Sequence, residues 1–388
     1  MAVAESPAQG SQERAGLDLA PEKEDKIWVA SNAQLMWWKF LRHKLAVVSL
    51  GVIVAFYLVA ALCEFVAPYD PQAKFAKYKF SPPSRIRLVD ANGNWHLPFI
   101  NQTTRELDMV TARSIYIVDE SVLYPVQFFV RSNEYKLLGL FPTDRHLFGL
   151  TVPQREQGLF LFGTDQLGRD VFSRVVYGAR LSLSIGLVGV FLSMTLGLLL
   201  GGISGYYGGV VDDIIQRIIE FLRSMPSTPL WMALSAALPP NWPIIRIYFG
   251  ITVILSFLGW TGLARVVRGR FLALREEDFV MSAKLVGASE MRIILRHMVP
   301  SFLSYMIASM TLSIPGMILG ETGLSFLGLG LREPAISWGV LLSDAQNVAA
   351  IVLSPWRMWA PAASVVIAVL AFNFLGDGLR DAADPYAR

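Results

Sequence analysis

Covalent cross-linking is absent from this chain: its single cysteine, Cys63, sits inside an apolar run, so no intrachain disulfide holds any part of it together. Charge is scarce as well. Asp, Glu, Lys and Arg make up 17% of the 388 residues, against about 25% in an average soluble domain. Hydrophobic residues make up 53%, mean hydropathy is +0.45, and the chain reads as an integral membrane protein. No GxxxxGK[ST] phosphate loop occurs, which excludes ATP binding in the P-loop manner, and neither HExxH nor Cys-x-x-Cys is found. The four histidines (His43, His96, His146, His297) are too dispersed in sequence to suggest a zinc site. Asp377 follows Gly376 at a span end, but an intramembrane aspartyl protease needs a second membrane-embedded Asp and none is evident. These absences leave no catalytic residue, no metal and no cofactor bound by the chain to assign. A net charge of +3 with no basic domain gives nucleic acid no surface to bind.

What is present is a series of apolar runs. The first, Leu45 to Ala67, follows Trp37, Trp38, Lys39, Arg42 and Lys44, an aromatic and basic border that places the N-terminus inside. Residues 1–34 lack the apolar core of a secretory signal and read as a disordered cytoplasmic tail, with 35–67 forming an interfacial segment and the first span. Residues 68–162 contain no run long enough to cross a membrane and are expected outside. Within them Asn92-Gly93 separates two β-like runs, the strongest short hairpin signal, and SVLYPVQFFV reads as a strand. A small β-containing cap is the expectation.

Residues 163–388 carry the remaining spans. In GTDQLGRDVFSRVVYGARLSL, Thr164 or Asp165 is expected to cap a membrane-surface helix with Leu167, Val171 and Val175 opposite Arg169, Arg174 and Arg180. Leu181 to Ile203 then crosses, and Gly197, Gly201 and Gly205 at four-residue spacing let another helix pack closely. The third span starts as the amphipathic VVDDIIQRIIEFLRS, is broken or kinked by Pro226 and Pro229, and continues to Leu238. Ile247 to Leu263, extendable through Ile244, returns inward, and Ser301 to Gly320, kinked at Pro315, goes outward. The Gly-rich segment that follows reads as a partly re-entrant hairpin, with Glu321 and Arg332 as outer-mouth candidates, or equally as a plain hydrophobic loop. Trp359 to Leu375 crosses last. The fold expected is an all-α polytopic membrane protein of about six spans, with both termini cytoplasmic.

Arg265 to Pro300 is the most informative stretch, a charged segment between two apolar spans. Arg265, Arg268, Arg270 and Arg275 would each cost about 2.5 to 3.5 kcal/mol at a bilayer centre, so the loop stays in water on the inner side. Within it Phe279 to Ile294 reads as short helices interrupted at Gly287, with Ala283, Gly287 and Ala288 as a small-residue surface. The segment resembles the coupling loop of bacterial ABC importer permeases, whose pattern is Glu-Ala-Ala, three residues, Gly, nine residues, Ile, one residue, Leu-Pro. Ala283, Gly287 and Pro300 fall on their places, while Met281, Ser282, His297 and Val299 depart from the pattern. Gly163-Thr164-Asp165, Gly168-Arg169-Asp170 and Tyr177-Gly178-Ala179-Arg180, with LSFLGLGL, are similar to the oligopeptide, dipeptide and nickel permease branch.

That resemblance implies a bacterial inner-membrane subunit in a heterodimer with a second permease, two cytoplasmic ATPases carrying ATP and Mg, and an extracytoplasmic solute-binding protein. It implies that Ala283, Gly287 and Ala288 dock into an ATPase cleft, with Arg292 and Arg296 as candidate charged contacts and Pro300 starting the return to the membrane. Peptide is the expected cargo; oligosaccharides, opines or nickel chelates carried by the same machinery are the alternative. An autonomous ion-coupled carrier or channel is the alternative of another class, and it would be expected to bury ionisable residues near mid-membrane, where these spans have almost none.

Overall fold

The computed structural model describes residues 32–107, 114–152, 157–346, 352 and 354–383. The expected disordered tail lies outside them except for 32–34, which open a helix. That helix, α1 (Asn32–Arg42), is followed by α2 (Lys44–Ala61), and the His43 imidazole Nδ1 between them accepts the Ala46 N–H at 3.1 Å to cap α2. A short helix, α3 (Cys63–Val66), completes the first apolar run.

Four strands follow as an antiparallel meander: β1 (Arg87–Val89), β2 (Trp95–Leu107), β3 (Ser114–Leu137) and β4 (Phe141–Leu150). The first turn carries Gly93 at φ +85°, and Asp90 Oδ1 accepts the N–H groups of Asn92 and Asn94, both at 2.8 Å. The Asn-Gly signal thus marks a real hairpin, and SVLYPVQFFV falls within β3.

The helical body comprises α4 (Val171–Tyr207), α5 (Gly209–Ser224), α6 (Ser227–Ala236), α7 (Ile244–Leu274), α8 (Asp278–Leu285), α9 (Glu290–Ile293), α10 (Leu303–Phe326), α11 (Trp338–Asp344) and α12 (Trp356–Ala383). Among the described residues five helices are long and apolar enough to cross a membrane: α2, α4, α7, α10 and α12. The expected third span is instead divided between a 16-residue and a 10-residue helix. Pro226 forces Met225 into extended backbone (ψ 137°) and ends α5 there. Two expected boundaries move. Arg265, Arg268 and Arg270 belong to the last turns of the 31-residue α7 rather than to a loop, because a helix continues past the apolar stretch that hydropathy detects. Helix α10 includes Pro315, where a kink was expected, and runs on past the expected end at Gly320 to Phe326.

No separate surface helix precedes α4. Gly163 to Asp170 instead forms a tight corner, with Gly168 at φ +77°, and α4 starts at once. Its cap is Asp170, not Thr164 or Asp165: Asp170 Oδ2 accepts the Ser173 N–H at 2.8 Å and the Ser173 hydroxyl at 2.6 Å. Asp165 is engaged elsewhere, its Oδ1 accepting the N–H groups of Leu167 and Arg169. Arg169 and Arg174 are correspondingly buried rather than set on a solvated face. Arg169 Nε lies 2.6 Å and Arg174 Nη1 2.9 Å from Asp165 Oδ2, both guanidinium groups reach Glu333 Oε1 at 2.7 Å, and Arg174 reaches Asp344 Oδ2 at 3.2 Å. Asp165 is local, but the other two carboxylates, Glu333 and Asp344, lie far along the chain and arrive only when the segment around α11 folds back.

Helix α4 packs on α7 through its glycines. A Cβ on Gly197 would lie 3.0 Å from the Trp260 carbonyl oxygen, one on Gly201 2.4 Å from that of Ala264, and one on Gly205 2.6 Å from that of Arg268. The partners ascend in the same order, so α4 and α7 run parallel. A second cluster of α2, α4, α10 and α12 side chains, including Ile53, Leu183, Ile318 and Phe372, forms the main core.

Gly201→Ala is expected to cost about 1 to 3 kcal/mol through overpacking, whereas Gly269→Ala, where a Cβ meets nothing within 4 Å, should be neutral or stabilising by up to about 1 kcal/mol. Thermal unfolding of the detergent-purified variants checks the contrast, and equal Tm values would remove the backbone-contact argument.

A pH dependence follows from the outer corner. Burial raises Asp170 to about 7 and Asp344 to about 6, from an ordinary value of 3.8. The native carboxyl groups hold their protons to higher pH than the unfolded chain does, so the stabilisation is complete below the ordinary value and is lost as pH rises through 6 to 7. The Tm should therefore fall between about pH 4 and pH 7, and Asp170→Asn, which keeps a capping side chain, should flatten that slope. An unchanged slope in the variant would contradict the assignment.

Candidate functional site

The end of the molecule where α4 and α7 finish is tied together by side chains of three helices. Arg268 of α7 donates from Nε and Nη2 to the two carboxylate oxygens of Asp212 on α5, and Ser204 of α4 donates its hydroxyl to the same carboxylate. Beyond this clamp α8 begins, ends at Val286, and turns at Gly287, whose φ of +77° favours glycine. The Gly287 N–H donates to Lys284 O at 2.9 Å and the Ala288 N–H to Ala283 O at 3.0 Å, the two bonds of a Schellman motif. Glycine at this point ends one helix and sets the angle of the next. Helix α9 then continues through a wide turn, Ile294–Met298, to Val299–Ser301.

The inward face of this corner is apolar. Val280, Ile293, Met298, Phe302 and Met306 are buried against Val267 and Phe271 of α7, and Ala283 and Ala288 pack half-buried on the same cluster. Of the three small residues singled out in the sequence, Gly287 alone is exposed. Arg292, Arg296 and Pro300 are exposed as well. The tip is apolar and open: Leu285 is 86% and Val286 88% exposed, with Met291 and Leu295 also outward. Sequence reasoning passed over Leu285 and Val286; two large apolar residues directly before a helix-ending glycine in a water-exposed loop were the available signal.

Two tyrosines at the end of α4 hold the corner from outside. The Tyr207 hydroxyl donates to Glu290 Oε2 at 2.7 Å, and the Lys284 ammonium lies 5.5 Å from the centre of the Tyr206 ring. Both contacts were missed, because in sequence Tyr206-Tyr207 reads only as part of a turn.

Between α4, α6, α7 and α10 lies a cavity of ≈ 390 Å³ whose lining contains no charged residue. Its walls are apolar except for Ser193, Ser309, Ser313 and the indole of Trp231.

One of the two outer-mouth candidates, Glu321, is placed differently from expectation. Glu321 is fully buried in α10 and faces no mouth. Its Oε1 accepts the Ser325 and Ser337 hydroxyls at 2.9 and 2.7 Å, and its Oε2 accepts Ser182 Oγ at 3.2 Å. Three hydroxyl donors satisfy a carboxylate that could not otherwise be buried, and they bind α4, α10 and the start of α11 to one another. Arg332 is exposed and donates from Nε to Gly328 O at 2.7 Å. Among the described residues no group of three His, Cys, Asp or Glu side chains is placed to hold a metal ion.

Residues 197–388 match the family of binding-protein-dependent transport system inner membrane components, and residues 31–83 match the N-terminal TM domain of oligopeptide transport permease C. The oligopeptide transport system permease protein OppC of Haemophilus influenzae is 42% identical over 60% of this chain and 72% of its own length. The dipeptide transport system permease protein DppC of Bacillus subtilis is 41% identical over 58% of this chain and 69% of its own. A solved structure of the MetNI methionine ABC transporter in an inward-facing conformation shares 19% identity, covering 54% of this chain and 97% of that one, with a TM-score of 0.40, a likeness too distant to support a functional conclusion. By these sequence matches the chain is a multi-pass inner membrane protein and belongs to the family of ABC importer permeases that includes OppC and DppC.

Proposed function

We propose that this permease passes oligopeptides or dipeptides from an extracytoplasmic solute-binding protein into the cytoplasm. It does so as one half of a heterodimer with a second permease, driven by two ATPase subunits that bind ATP and Mg on the cytoplasmic side. The observation that carries this reading is the α8–α9 corner, an apolar tip on a glycine-set turn that is bonded to the ends of α4 and α7. An autonomous carrier has no use for such a surface; an importer needs one where ATPase movement enters. Peptide cargo rests on what the relatives are named for.

The parallel course of α4 and α7 supports six crossings. Two parallel neighbours need a return passage between them, and α5 with α6 is the only segment available. Together they offer 16 and 10 helical residues, about 39 Å at 1.5 Å per residue against a hydrocarbon core of about 30 Å. Six crossings put both termini and the α8–α9 corner in the cytoplasm, in agreement with Lys39, Arg42, Lys44 and Arg380. The β-meander then stands outside, over the entry or as a platform for the binding protein.

Affinity purification of the tagged chain from native membranes should recover two P-loop ATPases and a second permease. Recovery of the chain alone, transporting in liposomes without ATP, would overturn the reading. In the assembled complex Leu285→Asp with Val286→Asp is expected to reduce ATP-dependent peptide uptake roughly thirty-fold, the loss of about 2 kcal/mol at a docking hot spot. Uptake of a labelled oligosaccharide or nickel chelate in place of peptide would reassign the cargo and leave the machinery intact.

A further inference from the structure

The hairpin joining β3 to β4 has an unusual tip. Leu138 and Gly139 both have positive φ (+53° and +73°), and the Leu140 N–H donates to Leu137 O at 3.0 Å, which makes this a type I′ turn. Such turns favour Asn-Gly because the first central position disfavours ordinary side chains. A leucine occupies it here, and Leu140 and Phe141 beside it are 73% and 63% exposed. In water this combination is unfavourable twice over, in backbone strain and in apolar exposure.

The hairpin does not project away from the helices. Its contacts descend the outer end of the first span in order. His146 Nδ1 pairs with Ala67 O at 2.7 Å, the Phe129 ring lies 6.1 Å from that of Phe65, and Leu138 shares a groove with Ala60, Ala61 and Tyr57 of α2. That groove is also lined by Arg180, Leu183 and Ser184 of α4, and at its outer rim the Arg180 guanidinium grips Glu64 at 2.7 Å. A hydrocarbon core of about 30 Å takes up about 20 helical residues; counted from Leu45, where the apolar run opens, these reach Glu64. Leu138 therefore sits level with the last membrane-embedded turn of α2. The exposed apolar surface of α2, Val54 and Leu58, leads directly to it.

We propose that the tip of the β3–β4 hairpin, Leu138, Leu140 and Phe141, inserts into the outer edge of the lipid bilayer. The interaction continues the lipid-facing surface of α2, and Lys136, exposed one turn back, lies where headgroup phosphates would meet it. Immersion removes the exposed apolar surface from water and gives the strained leucine its reason. The consequence is a fixed height: the meander is held to the membrane at one end and to the α4 corner at the other. This inference rests on the spans crossing a bilayer and is independent of cargo and of partner identity.

The test is site-directed spin labelling in the assembled complex, reconstituted in phosphatidylethanolamine and phosphatidylglycerol liposomes, with Cys63→Ala as background. Labels at Leu140→Cys and, as a second site, Phe141→Cys are expected to collide with oxygen and to lose collision with a water-soluble nickel chelate. A label at Asn92→Cys, in the polar turn between β1 and β2, should show the reverse order. Free collision of the tip labels with the nickel chelate would place the tip in water and overturn the proposal. Shielding from both relaxers would mean that a protein subunit covers it, which would overturn it equally.

Discussion

Backbone-level contact between α4 and α7 is the constraint on which the rest of the molecule depends. Gly197, Gly201 and Gly205 bring one helix so close to the carbonyl oxygens of Trp260, Ala264 and Arg268 that no side chain fits between them. In lipid, where apolar side chains gain little by exchanging lipid tails for one another, such close packing is a main source of helix association. Once the two helices are parallel and in register, the course of α5 and α6 between them, the position of the inner clamp at Asp212 and the floor under α8 and α9 all follow.

The inner corner gains stiffness from this pair. Phe271 of α7 supports Val280 and Ile293 from below, while Tyr207 of α4 holds Glu290 from the side. The Schellman bonds at Gly287 fix the angle between α8 and α9 without any side chain taking part. A force applied at Leu285 and Val286 therefore reaches α4 and α7 through buried contacts and hydrogen bonds, not through a loose loop.

Local signals were legible in the sequence wherever a single segment decides its own conformation. Apolar runs gave most of the spans, Asn92-Gly93 gave its hairpin, the glycine spacing in α4 gave a packing face, and Gly287 gave the break between α8 and α9. Legibility failed where partners lie far apart along the chain. Arg169 and Arg174 look like the polar face of a surface helix until Glu333 and Asp344 arrive beside them, and Glu321 looks like a mouth residue until three serines from three segments surround it. Hydropathy also mistook the end of the bilayer for the end of a helix at Leu263, since a helix emerging into water keeps its hydrogen bonds and only changes its side chains.

Length gives the last step. Helix α4 has 37 residues, about 55 Å at 1.5 Å per residue, whereas the hydrocarbon core takes up only about 30 Å. It must protrude, and each protruding end carries a polar assembly: Asp165, Arg169, Arg174, Glu333 and Asp344 at its N-terminal end, Ser204 and the two tyrosines at its C-terminal end. A continuous helix cannot shorten, and its glycine face prevents it from sliding freely along α7. Displacement of the inner corner therefore has to appear as tilt or translation of α4 at the outer corner, where the buried ion cluster grips the segment around α11. Helix α4 is thus one continuous mechanical link between the α8–α9 corner at one end and the buried ion cluster at the other.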